Sequence, residues 1–162
     1  MADIESIINR LIQDGYTVAT AESCTGGLIA SSLVDIPGAS DCFNEGYVTY
    51  SNEAKIKNLG VKDTTLERVG AVSRETALEM ALGVKNRANA DFGISSTGIA
   101  GPGGGSPKKP VGLVFIGCAY GNNQVLVKEL HLKGNRSQVR AEAAHEAMLL
   151  LDECITKLKE NK

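Results

Sequence analysis

Apolar residues along this chain change period repeatedly, and that alternation limits the folds open to it more than any other feature. Ile4, Ile7, Ile8, Leu11 and Ile12 fall on one stripe of a 3.6-residue period and Gly15 follows as a stop, which predicts an amphipathic helix. "YTVAT" is then a short β-prone run, and "GLIASSLVDI" has the small and apolar residues of a buried helix ended before Pro37 and Gly38. A second strand is expected around 46–51, then a helix in "NEAKIKNLGV" with Asn52 as cap and Gly60 as terminator. Ser73 opens the longest middle helix, whose apolar stripe is Ala77, Met80, Ala81 and Val84. "DFGISST" reads as a third strand, and "VGLVFIGCAYG" and "NQVLVKELHL" alternate like two more, joined by a Gly121-Asn122 turn. A closing helix carries Val139, Ala143, Ala147, Leu150, Leu151, Cys154 and Leu158 on one side. Helices alternate with strands first and a hairpin follows, so the expected fold class is α/β, a three-layer α/β/α arrangement around a mixed β-sheet. The 162 residues, 43% of them hydrophobic, suffice for one core and are too few for two ordinary domains, so a single domain over 1–162 is expected.

Charge and cysteine usage exclude several classes of function. The formal net charge is −2 and neither Lys nor Arg forms a long run, so neither nucleic acid nor an anionic membrane is expected as a partner. A small molecule or another protein is, and exposed helix faces are compatible with a homodimer or higher homo-oligomer. Cys24, Cys42, Cys118 and Cys154 are scattered without CxxC spacing or a paired His, which argues for reduced thiols and against a zinc site. "MADIESIINRLIQDG" carries acids and no unbroken apolar run, so neither a signal peptide nor a membrane span is predicted there, and a cytoplasmic location is expected.

Two loops stand out, at 22–27 and 97–106, and both are predicted to leave strand carboxyl ends, where ligands gather in α/β sheets. In "AESCTGG", Ser23 would lie between a strand end and a helix start, as a cap or as a nucleophile. Gly26 and Gly27 let a substrate approach the backbone. Cys24 and Thr25 are competing nucleophiles, and Glu22 either orients the nucleophile or a substrate hydroxyl, or only complements the helix dipole. A serine nucleophile needs a base, and His131 in a late strand and His145 in the closing helix are poorly placed. Lys55 is the candidate base, one turn into its helix, with Tyr50 at the preceding strand end; the alternative is a solvated lysine beside a core tyrosine. "STGIAGPGGGSP", with Thr97, Gly98, Gly101 and Gly103, offers N–H groups to a phosphate or carbonyl but has neither the Walker ending nor Rossmann spacing. Arg136 and Arg140, four apart, would grip a phosphate together or pair with a surface acid such as Glu142.

Five ordered stretches, "TAESCTGG", "GYVTYSNEAK", "GAVS", "TGIAGPGGGSPKKPVG" and "GNRSQVR", resemble the CinA carboxy-terminal domain family, whose members include nicotinamide-nucleotide amidohydrolase. The likeness runs from about Val18 into the closing helix and has the look of a stand-alone version of the domain. It implies deamidation of nicotinamide mononucleotide to nicotinate mononucleotide with release of ammonia, in pyridine-nucleotide recycling. It further implies Ser23 as nucleophile, Tyr50 and Lys55 as its activating partners, and no metal or other cofactor. Seating of the nucleotide by Thr97 and the glycine-rich loop, and of its phosphate by Arg136 or Arg140, is our own expectation. Two rival readings are a non-catalytic nucleotide-binding module with a competence-associated regulatory role, and an amidase or esterase for another pyridine amide.

Overall fold

The computed structural model describes residues 3–162. Asp3 accepts a hydrogen bond from Ser6 N and starts α1 (Ile4–Asp14), and Gly15, left-handed at φ 70°, ends it as the glycine predicted. The chain continues through β1 (Val18–Glu22), α2 (Leu28–Val34), β2 (Phe43–Val48), α3 (Asn52–Leu59), α4 (Asp63–Val69) and α5 (Arg74–Arg87). It ends with β3 (Phe92–Gly98), β4 (Leu113–Tyr120), β5 (Gln124–His131) and α6 (Arg136–Glu160).

The five strands form one mixed sheet in the order β2-β1-β3-β4-β5. β1 lies parallel to β2 and to β3, while β3/β4 and β4/β5 are antiparallel. Ile7, Ile8 and Leu11 of α1, Ile29 and Leu33 of α2 and the apolar side of α6 cover one face. On the other face Met80 and Val84 of α5 pack with Leu59, Val61, Leu66 and the alternate β1 residues Ala19 and Ala21. The three-layer α/β/α expectation is met. Among the described residues no helix is long and apolar enough to cross a membrane.

Local differences from the sequence reading have local causes. The second strand runs over Phe43–Val48 instead of 46–51, because Thr49 N already bonds Glu22 O and Ser51 turns the chain into α3. Ser51, not Asn52, is the cap: its hydroxyl accepts from Ala54 N. Gly46 is needed inside β2, since a Cβ there would stand 2.2 Å from Thr20 Oγ1. The hairpin turn has three residues, 121–123, with positive φ at Gly121 and Asn123. α4 had no counterpart in the sequence reading, because its seven residues bury only Thr65 and Leu66 and show no period.

Parallel pairing of β1, β2 and β3 has one consequence that matters for function. Their carboxyl ends lie side by side, so the segments leaving them must converge at one edge of the sheet.

Candidate active site

Those three segments and the start of α6 enclose an open cavity of about 280 Å³. Ser23 and Cys24 come from the loop after β1, Tyr50, Asn52 and Lys55 from the loop after β2 and from α3, and Thr97 to Gly104 from the end of β3 onward. Arg136 reaches in from the first turn of α6.

Ser23 is held by its backbone. Its N–H donates to Ser96 O at 3.0 Å, which extends the β1/β3 pairing by one residue, and its carbonyl accepts from Gly26 N at 3.1 Å. The turn then passes through Gly26 (φ 58°) and Gly27 (φ 107°), a path an L side chain resists. α2 therefore begins only at Leu28, and Ser23 is not its cap. The groups at that helix start are satisfied from below: the buried Glu22 carboxylate accepts from Ile29 N at 2.8 Å, Ala30 N at 3.0 Å and Thr25 Oγ1 at 2.6 Å. Thr25 Oγ1 also meets Ser96 Oγ at 2.6 Å. Glu22 and Thr25 thus form a buried brace beneath the serine, outside the cavity lining, as are Gly26 and Gly27. Among the described residues no backbone carbonyl accepts from the N–H of Cys24 or Thr25, and two N–H groups stand beside Ser23.

Lys55 is the unusual member. Its side chain is one of the largest that are fully buried, 1% exposed, while its neighbour Lys57 stays in solvent. Its Nζ lies 3.1 Å from Ser23 Oγ and donates to Thr49 O at 2.8 Å. Among the described residues it has no ion-pair partner. Burial holds the ammonium below its ordinary pKa of 10.5, and only the ionised form of Cys24 pulls it the other way. Cys24 moves the other way, pushed up to about 11, mainly by burial. At neutral pH it is a thiol, so of the two adjacent candidates the hydroxyl is the one with a base in reach.

Tyr50, an activating partner by resemblance, hydrogen-bonds neither Ser23 nor Lys55, which touch each other directly. It stands at the rim, 65% exposed, with its hydroxyl accepting from Arg136 Nη2 at 3.2 Å. Arg136 and Arg140 share a helix face, yet their guanidinium groups part. Arg136 Nη1 donates to Gly101 O at 2.8 Å over the cavity, whereas Arg140 donates to the carbonyls of Cys24 and Thr25, both at 3.0 Å, and braces the serine loop from behind. Thr97 lines the wall with its hydroxyl committed to Ala71 O at 2.8 Å. Gly98, Gly101 and Gly103 line it too, and a Cβ on Gly98 would meet Leu113 O at 2.7 Å. His131 pairs with Glu129 in solvent and His145 is exposed on α6, so neither enters the cavity.

Asn52 and the Ala71–Val72 wall were not singled out as site residues from sequence, although "GAVS" was one of the five stretches. A glycine followed by a helix cap signals only a helix start. That the segment faces the serine depends on α5 packing across the sheet. Among the described residues no three His, Cys, Asp or Glu side chains stand close enough together to hold a metal ion.

Comparison with known proteins assigns the chain to a family. The profile described as the CinA C-terminal domain matches residues 2–155. The chain belongs to the CinA C-terminal domain family. A CinA-like protein of Kosmotoga olearia is 55% identical over 140 residues, 86% of this chain and 34% of its own length. The chain spans about a third of the length of the curated relatives it matches. Among solved structures, the competence/damage inducible protein CihA of Agrobacterium tumefaciens is 46% identical with a TM-score of 0.88, covering 95% of this chain and 96% of its own. The competence damage-inducible protein A of Klebsiella pneumoniae is 34% identical with a TM-score of 0.89, over 94% and 95%. The CinA fold is therefore shared almost end to end with these domain-sized relatives.

Proposed function

We propose that this CinA domain hydrolyses the carboxamide of nicotinamide mononucleotide to nicotinate mononucleotide and ammonia, with Ser23 as nucleophile and Lys55 as base, in pyridine-nucleotide recycling. The observation that carries the reading is the buried Lys55 amine 3.1 Å from Ser23 Oγ, its pKa lowered toward the range where it can accept a proton. In the first step Ser23 Oγ bonds the carboxamide carbon while its proton passes to Lys55, and the N–H groups of Cys24 and Thr25 are the donors for the oxyanion. The carbon–nitrogen bond then breaks, the nitrogen takes the proton from Lys55, and ammonia leaves an acyl ester on Ser23. Water, deprotonated by the same amine, adds to the ester, and nicotinate mononucleotide departs as Ser23 regains its proton. An open cavity of about 280 Å³ suits a ligand the size of a small nucleotide. Thr97 and the glycine-rich loop are assigned to the nucleotide and Arg136, the arginine facing the cavity, to its phosphate.

The test is ammonia release from nicotinamide mononucleotide by wild-type, Ser23→Ala and Lys55→Ala proteins, with a chelator present. Turnover in the wild type and its loss in both variants supports the reading. Retained turnover in Ser23→Ala, or dependence on metal, overturns it. Mononucleotide binding without ammonia release would favour a nucleotide-binding module instead.

A further inference from the structure

Arg136 is the first residue of α6, just beyond the Asn135 cap, and its guanidinium leaves the helix to cross the mouth of the cavity. By donating to Gly101 O and to the Tyr50 hydroxyl, it ties three segments together: the start of α6, the glycine-rich loop after β3 and the loop after β2. Tyr50 is mostly in solvent, and among the described residues its hydroxyl has no other partner than this guanidinium. On one side of it in the chain is Thr49, whose carbonyl holds Lys55 Nζ; on the other is Ser51, the cap of the helix that carries Lys55. The position of Tyr50 is thus joined to the base through a single peptide on either side.

Both acceptors that Arg136 uses are neutral. A phosphate dianion offers charged oxygens at a spacing that fits the guanidinium fork, and such pairs are roughly twice as strong as neutral hydrogen bonds. A phosphate entering the mouth therefore takes the guanidinium away from the phenol.

We propose that Arg136 is a phosphate-operated latch on Tyr50. In the free protein it holds the Tyr50 hydroxyl at the rim. The phosphate of a bound mononucleotide displaces that hydroxyl, which turns into the cavity and donates a hydrogen bond to the departing amide nitrogen. The inference rests on the deamidase reading above and deepens it. Tyr50 transfers no proton in this role: the nitrogen receives its proton from Lys55, and the phenol O–H stabilises charge developing on the leaving group. Binding at the phosphate is thereby converted into stabilisation at the reacting carbon, so a substrate without phosphate loses turnover as well as affinity. Nicotinamide riboside, with the same ring and sugar, would leave the latch closed.

The experiment has two arms. In the first, ammonia release from nicotinamide riboside is followed with and without inorganic phosphite in wild-type, Tyr50→Phe and Arg136→Gln proteins, beside the mononucleotide. Phosphite is expected to raise wild-type kcat/KM for the riboside on the order of ten- to a hundredfold, the size of one hydrogen bond to a charged group. That activation should vanish in both variants, and the ratio of mononucleotide to riboside kcat should collapse by a similar factor in Tyr50→Phe. In the second arm, Ser23→Ala protein labelled with 3-fluorotyrosine is titrated with mononucleotide until calorimetry shows the site full. The Tyr50 fluorine resonance, identified by its loss on adding Tyr50→Phe, should shift and saturate. Full phosphite activation in Tyr50→Phe, or an unmoved Tyr50 resonance in the filled site, overturns the latch. A shifting resonance in the Ser23→Ala protein, with no ammonia released from the mononucleotide by the wild type, overturns the deamidase reading and keeps the displacement of the phenol by phosphate; wild-type ammonia release with a still resonance does the reverse.

Discussion

Replacing Lys55 with methionine separates what its amine does for the fold from what it does for the chemistry. Methionine keeps an unbranched stem of similar length, so the packing of α3 against the sheet is preserved. Two hydrogen bonds are lost, to Ser23 Oγ and to Thr49 O, each contributing about 0.5–1.5 kcal/mol. In the opposite direction, burial holds the amine below its ordinary pKa of 10.5, and each pKa unit of that lowering is about 1.4 kcal/mol against the charged form. The two effects oppose, so urea unfolding at pH 7 should give a stability within about 2 kcal/mol of wild type. The pH dependence is sharper. As pH falls from 10.5 the unfolded chain takes up the Lys55 proton first, and the folded chain only below its lowered pKa. Between those two values the unfolded state binds more protons, so wild-type stability rises with pH, and that rise should be missing in Lys55→Met. Turnover should fall by about 10²–10⁴-fold, roughly 3–5 kcal/mol of barrier, as expected for loss of a general base. Wild-type kcat/KM should climb with pH through the lowered Lys55 pKa, because only the neutral amine accepts the Ser23 proton. Ammonia release and urea unfolding, each measured from pH 6 to 10, check both halves. Undiminished turnover in Lys55→Met, or a wild-type rate that falls through this range, would refute the reasoning.

Glu22→Gln turns one of three accepted hydrogen bonds in the buried brace into donor against donor, so it should destabilise the protein by about 2–4 kcal/mol in urea and lower ammonia release as the Ser23 turn loosens. Gly83→Ala would place a Cβ 1.9 Å from Leu59 O, forcing α3 away from α5; a loss of about 1–3 kcal/mol with reduced turnover is expected, and a gain of about 1 kcal/mol from helix propensity alone would count against this. With its pKa pushed from 9.0 to about 11, Cys24 should react with iodoacetamide at pH 8 about a hundredfold more slowly than an unperturbed thiol, as read by mass spectrometry.

Much of the fold follows from local chemistry and was legible along the chain. Gly15 and Gly60 end helices because they accept a left-handed backbone, and Ser73 starts one because its hydroxyl caps a free N–H. What was misread depends on partners distant in sequence. β2 is shifted because β1 sets its register, and α4 escaped notice because two buried residues make no pattern.

The candidate site divides along the same line. By itself the sequence determined which reactive groups exist and that Ser23, Lys55, Thr97 and Arg136 stand at or near strand and helix ends. Only the tertiary structure decided which of them share a cavity. It buried Lys55 on Ser23, withdrew Glu22 and Thr25 into a brace, and sent Arg136 and Arg140, neighbours on one helix face, to opposite sides of the serine loop. The physical reason is range. Capping, turn and periodicity rules act over a few residues, whereas the burial that lowers the pKa of an amine comes from parallel strands whose ends meet only once the sheet has formed.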